Sequence, residues 1–289
     1  MQKTIQNIFS PPPAHTVGDG FHVHNFFPSG INQGIYRMSP FFLLDYGAPF
    51  YFSPTDTPRG VDVHPHRGFE TVTIAYKGSV AHHDSAGNSG IIYEGDVQWM
   101  TAGSGVLHKE YHEEEFTRNG GIMQMVQLWV NLPAKDKMTP PKYQAINHKD
   151  IPTYLCDDGI TILEIIAGEY HGTQGIASTF TPMHVWNCKG NAQTNTMITL
   201  PAHYNTGIVI LDGTVSINGT LAEANHFVLF NNDGSDISFQ SDNEFTCLIL
   251  SGEPINENLM PYGPFLMNTK EEIVQAFDDL RSGKFGQLS

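Results

Sequence analysis

The chain has 289 residues, 40% hydrophobic and 16% charged, with 28 glycines and 18 prolines. That length suits one large domain or two of medium size, and the composition excludes wholesale disorder and favours a turn-rich, all-β protein. A formal net charge of −15, with no basic run, argues against direct binding of nucleic acid or an anionic membrane, because phosphate contacts need Lys and Arg.

The opening stretch MQKTIQNIFSPPPAHTVGDG lacks the apolar segment of a secretory signal. No segment approaches the roughly 20 apolar residues of a membrane span. Cys156, Cys188 and Cys247 are far apart and form no CxxC pair, so neither a disulfide framework nor a cysteine-based zinc site is expected. These features predict a soluble cytoplasmic protein in a reducing compartment.

Residues 21–46 hold two apolar, strand-like runs separated by turn residues. Residues 71–77 and 80–84 read as a hairpin around Lys77-Gly78-Ser79. The strands VQWMT (97–101) and IMQMVQLWVNL (122–132) follow. In the second, Met123, Met125, Gln127, Trp129 and Asn131 share one face and Ile122, Gln124, Val126, Leu128 and Val130 the other, with apolar residues on both, as in a strand buried on both sides. LPAKDKMTPPKYQ (132–144) reads as a linker, which predicts domains at 1–133 and 134–289. Strand patterns resume at 160–168, 206–219, 226–230, 237–240 and 245–252. Near the end, Thr269 and Glu272 have capping-box spacing, and Ile273, Val274, Phe277 and Leu280 form one apolar stripe before Gly283. This is a helix packed on a sheet. IAYKGSVAHHDS (74–85) and VILDGTVSINGT (209–220) share a strand–Gly–strand shape, a faint repeat compatible with two β-domains of similar build.

The chemistry concentrates in HPHRGFETVT, from His64, and AGSGVLHKEYHEEE, from Ala102. On a strand, residues i and i+2 share a face, about 7 Å apart. His64 with His66, and His108 with Glu110, therefore make two same-face pairs on separate strands. Three imidazoles and a carboxylate suit iron, Mn, Ni, Cu, Co or Zn, and four ligands around an octahedral ion leave two positions open. The competing histidines read more simply. His22 and His24 lack a matching pair and fit a solvent-facing strand edge. His112 shares parity with His108 and Glu110 and is an alternative to one of them as ligand, but EEE follows, which fits a solvated, charged edge better. His82 and His83 are adjacent, so at most one points inward. Glu70 shares parity with His66 and is a possible ligand, or a carboxylate orienting one by a hydrogen bond. No GxxxxGK[ST] or GxSxG motif is present.

HPHRGFETVT, HHDSAGNSG, GDVQWMTAGSGVLHKE, QLWVNLP and YGPFLMNTKEEI together resemble the pirin family of the cupin superfamily, over residues from about Phe41 to Gly286. The resemblance implies two cupin-type β-barrels, a bicupin with a short C-terminal helix. It implies one mononuclear metal, usually iron(II), in the N-terminal barrel on His64, His66, His108 and Glu110, the same four residues. Glu70 is outside the family's ligand set. Lys109 stands where Ser is common and IAYKG where a Tyr usually follows TVT, which leaves substrate preference open. Carrying His64, His66, His108 and Glu110 over to the second half lands near Thr199, Pro201, Ser238 and Gln240, so the C-terminal barrel is expected to be metal-free. Many bacterial pirins act as quercetin 2,3-dioxygenases on a flavonol and O2, which implies that activity here; Glu110, as ligand or after partial release, is then the expected proton acceptor, and Trp99, Met123, Met125 and Phe69 are candidate walls around the substrate. Eukaryotic pirins are described as iron-dependent transcriptional co-regulators, which implies the alternative of a metal- or redox-dependent regulator acting through protein partners.

Overall fold

The computed structural model describes residues 1–31 and 34–288. It is built almost wholly of antiparallel strands, in two compact units that interleave in sequence. One unit comprises Pro13–Gly30, Phe41–His148 and Ile255–Ser289. The other comprises Met1–Pro12, Ile31–Pro40 and Lys149–Pro254. The division at 133/134 read from the linker-like composition of 132–144 differs from this partition. Lys142–Ile146 pairs with Val97–Thr101 and extends the first barrel, while Ile5–Phe9 pairs with Phe227–Phe230 and extends the second. Backbone pairing reaches over long sequence separations, so proline and lysine content alone does not locate a boundary.

In the first unit a seven-stranded sheet faces a four-stranded one. The large sheet runs Lys142–Ile146, Val97–Thr101, Phe69–Lys77, Gly121–Asn131, Phe41–Phe52, Phe21–Phe27 and His15–Val17. The small sheet runs Gly60–His66, Val106–His112, Val80–Asp84 and Ser89–Ile92. Period-2 alternation makes one face of each strand line the barrel interior. Phe21, Val23, Phe52, Ala75, Val80, Ile92, Met123 and Met125 fill part of it with apolar side chains.

The expected hairpin at Lys77-Gly78-Ser79 is a corner. Phe69–Lys77 lies in the large sheet and Val80–Asp84 in the small one, so the chain turns between sheets instead of pairing with itself. Gly78 supplies the left-handed φ of +82° that the corner needs. Its counterpart in the repeat, Gly213, has φ of +73° beside a bulge between Ile210 and Asp212 in the long strand Asn205–Ile217. The faint repeat is thus a repeated corner, made by a turn in one unit and a bulged strand in the other. The second unit's interior is apolar and includes Leu163, Ile165, Trp186, Ile208, Phe230 and Phe239 together with all three cysteines as free thiols. No described helix is long and apolar enough to cross a membrane.

The C-terminal helix, Lys270–Arg281, starts at the expected capping box, with Thr269 and Glu272 satisfying each other's backbone N–H groups. Its apolar face joins Phe265, Met267 and Phe285 and meets Leu107. Val274 departs from the expected stripe and is exposed. The buried Lys137 side chain, its pKa lowered by burial to about 7, fixes this segment to the barrel. Lys137 Nζ donates to Gly68 O at 2.8 Å, Asn131 Oδ1 at 2.6 Å and Leu266 O at 2.6 Å. Lys137→Met should lower unfolding free energy in urea by about 3 kcal/mol, because buried acceptors lose their donor; an unchanged midpoint would show that this clamp contributes nothing.

Candidate metal centre

Antiparallel register brings the two sequence pairs together. His108 stands directly opposite His64, and Val106 opposite His66. Cross-strand neighbours on one face lie about 5 Å apart at Cβ, so two strands bring three imidazoles into reach of one point. One ligand atom from each of His64, His66 and His108 lies within 4.8 Å of the other two. Ring centroids are 4.6 Å apart for His64 and His66, 5.4 Å for His64 and His108, and 5.9 Å for His66 and His108.

Burial, reinforced by the neighbouring rings, pushes the pKa of His66 and of His108 well below the ordinary value. Both rings are therefore neutral at neutral pH, the form that binds a metal. The Nδ1 atoms of His66 and His108 are buried without a hydrogen-bond partner. His64 Nδ1 donates to the Asp62 carbonyl at 2.7 Å, which fixes its ring and leaves Nε2 as the free donor atom. Crowded neutral imidazoles with unsatisfied nitrogens fit a divalent cation.

Glu110 sits beside this cluster, its Oε1 3.9 Å from His108 Nε2. A register shift between His108 and Glu110 places Val61 opposite Glu110. The carboxylate is 3% exposed and receives hydrogen bonds from Thr73 Oγ1 at 3.0 Å, Gln127 Nε2 at 2.9 Å and Gln98 Nε2 at 3.4 Å. Gln98 Nε2 also lies 3.3 Å from His108 Nε2. Thr73 pairs with Gln127 on one side and Gln98 on the other, so the three form one polar row across the large sheet, facing Glu110. Sequence reasoning missed this row. Gln127 was within reach, because it shares a face with Trp129 on a strand that is mostly apolar on both sides.

His82 points inward, fully buried, and His83 outward, as adjacency on a strand requires. His82 lies opposite Glu110, stacks on Tyr143 and meets its hydroxyl at 2.5 Å. His112 corrects its expected place at a solvated edge. It is 1% exposed, donates from Nε2 to Gly20 O at 2.6 Å, and is ringed edge-on by Phe21, Phe52 and Phe116. The acidic run after it begins a short helix, Glu114–Asn119, which Glu113 caps by accepting from the N–H groups of Glu115 and Phe116. His22 and His24 are half-buried, and His22 stacks on Phe50 at 4.5 Å.

Among the expected apolar walls, Phe69 is at the site, 5.1 Å from His66, and stacks on Trp129 at 4.3 Å; Trp129 is itself 5.4 Å from His66. Met123 and Met125 belong to the apolar core cluster with Phe52. Trp99 follows Gln98 on its strand, so alternation turns it to the opposite face.

A pirin family model matches residues 20–130, and a model of the pirin C-terminal cupin domain matches residues 185–286. The chain is 44% identical over 283 residues to a Pseudomonas aeruginosa protein that bears quercetin 2,3-dioxygenase as a provisional name, covering 98% of each. It is 38% identical to a pirin-like protein of Solanum lycopersicum, over 98% of this chain and 96% of that one. A crystal structure of quercetin 2,3-dioxygenase from Acinetobacter baumannii superposes with a TM-score of 0.93 at 46% identity, covering 100% of both chains.

Glu70 meets neither expectation held for it. Its parity with His66 is broken at Gly68, where the chain leaves the small sheet with φ of +87° and enters the large one. The carboxyl accepts a hydrogen bond from Thr101 Oγ1 at 2.7 Å and is fully buried. Burial raises its pKa from 4.5 to about 7, with the Thr101 bond pulling the other way. The stabilisation from the protonated form is complete below pH 4.5 and lost as pH rises through 7. Glu70→Gln cannot ionise. Its stability advantage over the parent should be small at pH 5 and approach about 3 kcal/mol above pH 8, read by chemical denaturation. A difference that does not change with pH would contradict this assignment.

Proposed function

The chain belongs to the pirin family, and from its clustered imidazoles we propose that it is a metal-dependent dioxygenase that opens flavonols such as quercetin with O2. The observation that carries this reading is the convergence of His64, His66 and His108 within 4.8 Å, in neutral form, beside a carboxylate. The likeness to the Acinetobacter quercetin 2,3-dioxygenase, which covers 100% of both chains, supports the substrate class. His64, His66, His108 and Glu110 would hold one ion, iron(II) first among those suited to such donors.

A divalent ion held there supplies Lewis acidity that lowers the pKa of a flavonol hydroxyl. The chain's own residues do the rest. Glu110 accepts the hydroxyl proton, and Thr73, Gln98 and Gln127 keep its oxygens aimed while the charge changes. Phe69 and Trp129, stacked beside His66, present an apolar wall to a flat aromatic guest. The deprotonated ring is electron-rich and reacts with O2. Both oxygen atoms enter the ring-opened product, and the ring carbon that carried the hydroxyl leaves as carbon monoxide.

The test is loss of quercetin's visible absorbance by metal-loaded protein in air and under anaerobic conditions. Turnover should require O2 and vanish in His64→Ala and Glu110→Ala. Gln127→Leu retains every ligand and should lower turnover roughly 10- to 100-fold, the usual cost of losing a group that orients a ligand. Full metal loading without turnover would overturn the enzymatic reading and select a metal-dependent regulator acting through protein partners.

A further inference from the structure

Two of the imidazole-bearing strand positions have neighbours that face out of the barrel, and both neighbours are gripped by the same distant segment. Arg67 follows His66. Its backbone carbonyl accepts from Leu266 N at 3.0 Å, and its guanidinium pairs with Asp279 Oδ2 at 2.9 Å, donates to Ser104 O at 2.7 Å and lies 4.7 Å from the Phe285 ring. Arg67 and Asp279 are 3% and 6% exposed. Leu107 precedes His108. It packs in the cluster of Phe265, Met267, Ile273, Ala276 and Phe285, and its N–H donates to Ser85 Oγ at 2.9 Å, the hydroxyl that in turn donates to the Phe285 carbonyl.

The approach is close at both ends. A Cβ added at Gly68 would lie 2.2 Å from the Leu266 carbonyl oxygen, and one at Gly105 would lie 2.6 Å from the Phe285 ring. Pro264 presents its backbone to the His66 ring. Lys284 and Gln275 also bind Asp279, at 2.7 and 2.8 Å, so the carboxylate is held in place from its own segment before it meets Arg67.

We propose that residues 264–285 act as a brace of the metal centre, with Arg67 and Asp279 as its positioning pair. The proposal rests on the metal-centre reading above. A strand is stiff along its length, so fixing the outward residues 67 and 107 fixes the separation of the inward rings at 66 and 108. Metal sites lose affinity when ligands stray by about 0.5 Å. Linkage then makes the effect reciprocal: docking of the segment strengthens metal binding, and bound metal tightens the segment.

The experiment uses full-length protein and Co2+, which reports coordination through its visible spectrum. Calorimetric titration gives the affinity, and hydrogen exchange with and without Co2+ gives the protection of 264–285. Parent protein should bind one Co2+ and gain protection across 264–285. Asp279→Asn should bind Co2+ roughly 10- to 100-fold more weakly, with an altered cobalt spectrum, at a temperature where it is fully folded. Parent protein that fails to bind Co2+ overturns the metal centre itself. Binding that leaves exchange of 264–285 unchanged overturns the brace alone, and this readout stands even if Asp279→Asn does not fold. Unchanged affinity in folded Asp279→Asn overturns the positioning role of the pair.

Discussion

Everything at the site depends on the antiparallel register of Gly60–His66 with Val106–His112. His64 opposite His108 is one pairing among several that the backbone allows, and a slip of one residue would turn His108 and Glu110 out of the barrel. The register is held by apolar burial on the barrel face and by contacts on the other face. There Arg67 and Leu107 anchor the ends of the two strands that carry the imidazoles. Alternation therefore divides the two faces: the imidazoles and Glu110 point into the barrel, and Arg67 and Leu107 point out toward residues 264–285.

The barrel interior also has to reconcile buried polar groups with an apolar surround. His66 and His108 are neutral because water is excluded. Glu110 is as deeply buried, and the polar row Thr73, Gln98 and Gln127 offers it donors where water would otherwise be required. Glu70, on the other face of the same sheet, accepts from Thr101 Oγ1, and burial raises its pKa while the Thr101 and Trp99 side chains pull the other way. Two buried glutamates in one barrel thus face different partners, Thr73, Gln98 and Gln127 for one and Thr101 for the other. The local sequence around each does not reveal this.

Interleaving of the two units has a related origin. The segment that follows the second barrel's last strand belongs with the first barrel, and the opening residues Met1–Pro12 belong with the second. Each barrel thus covers part of its surface with chain that is far away in sequence. For the first barrel, that chain includes the strand Phe265–Met267, whose Leu266 and Met267 meet Gly68 of HPHRG, and Phe285 beyond the helix, which meets Gly105 of AGSG. Those glycines serve close packing as well as turning.

Residue spacing alone placed His64 with His66 and His108 with Glu110 on shared faces, and gave the all-β character, most strands and the capping box at Thr269, because alternation and capping are local rules. The resemblance to pirins added the bicupin arrangement. What lay beyond the sequence was decided wherever the chain changes sheet or pairs at long range. Gly78 makes a corner, Gly68 resets the parity of Glu70, and His112 is buried among Phe21, Phe52 and Phe116 despite its acidic neighbours. Side-chain direction repeats every two residues only within one continuous strand. Once the backbone bends or a partner arrives from 200 residues away, only the packed structure determines which face a residue occupies.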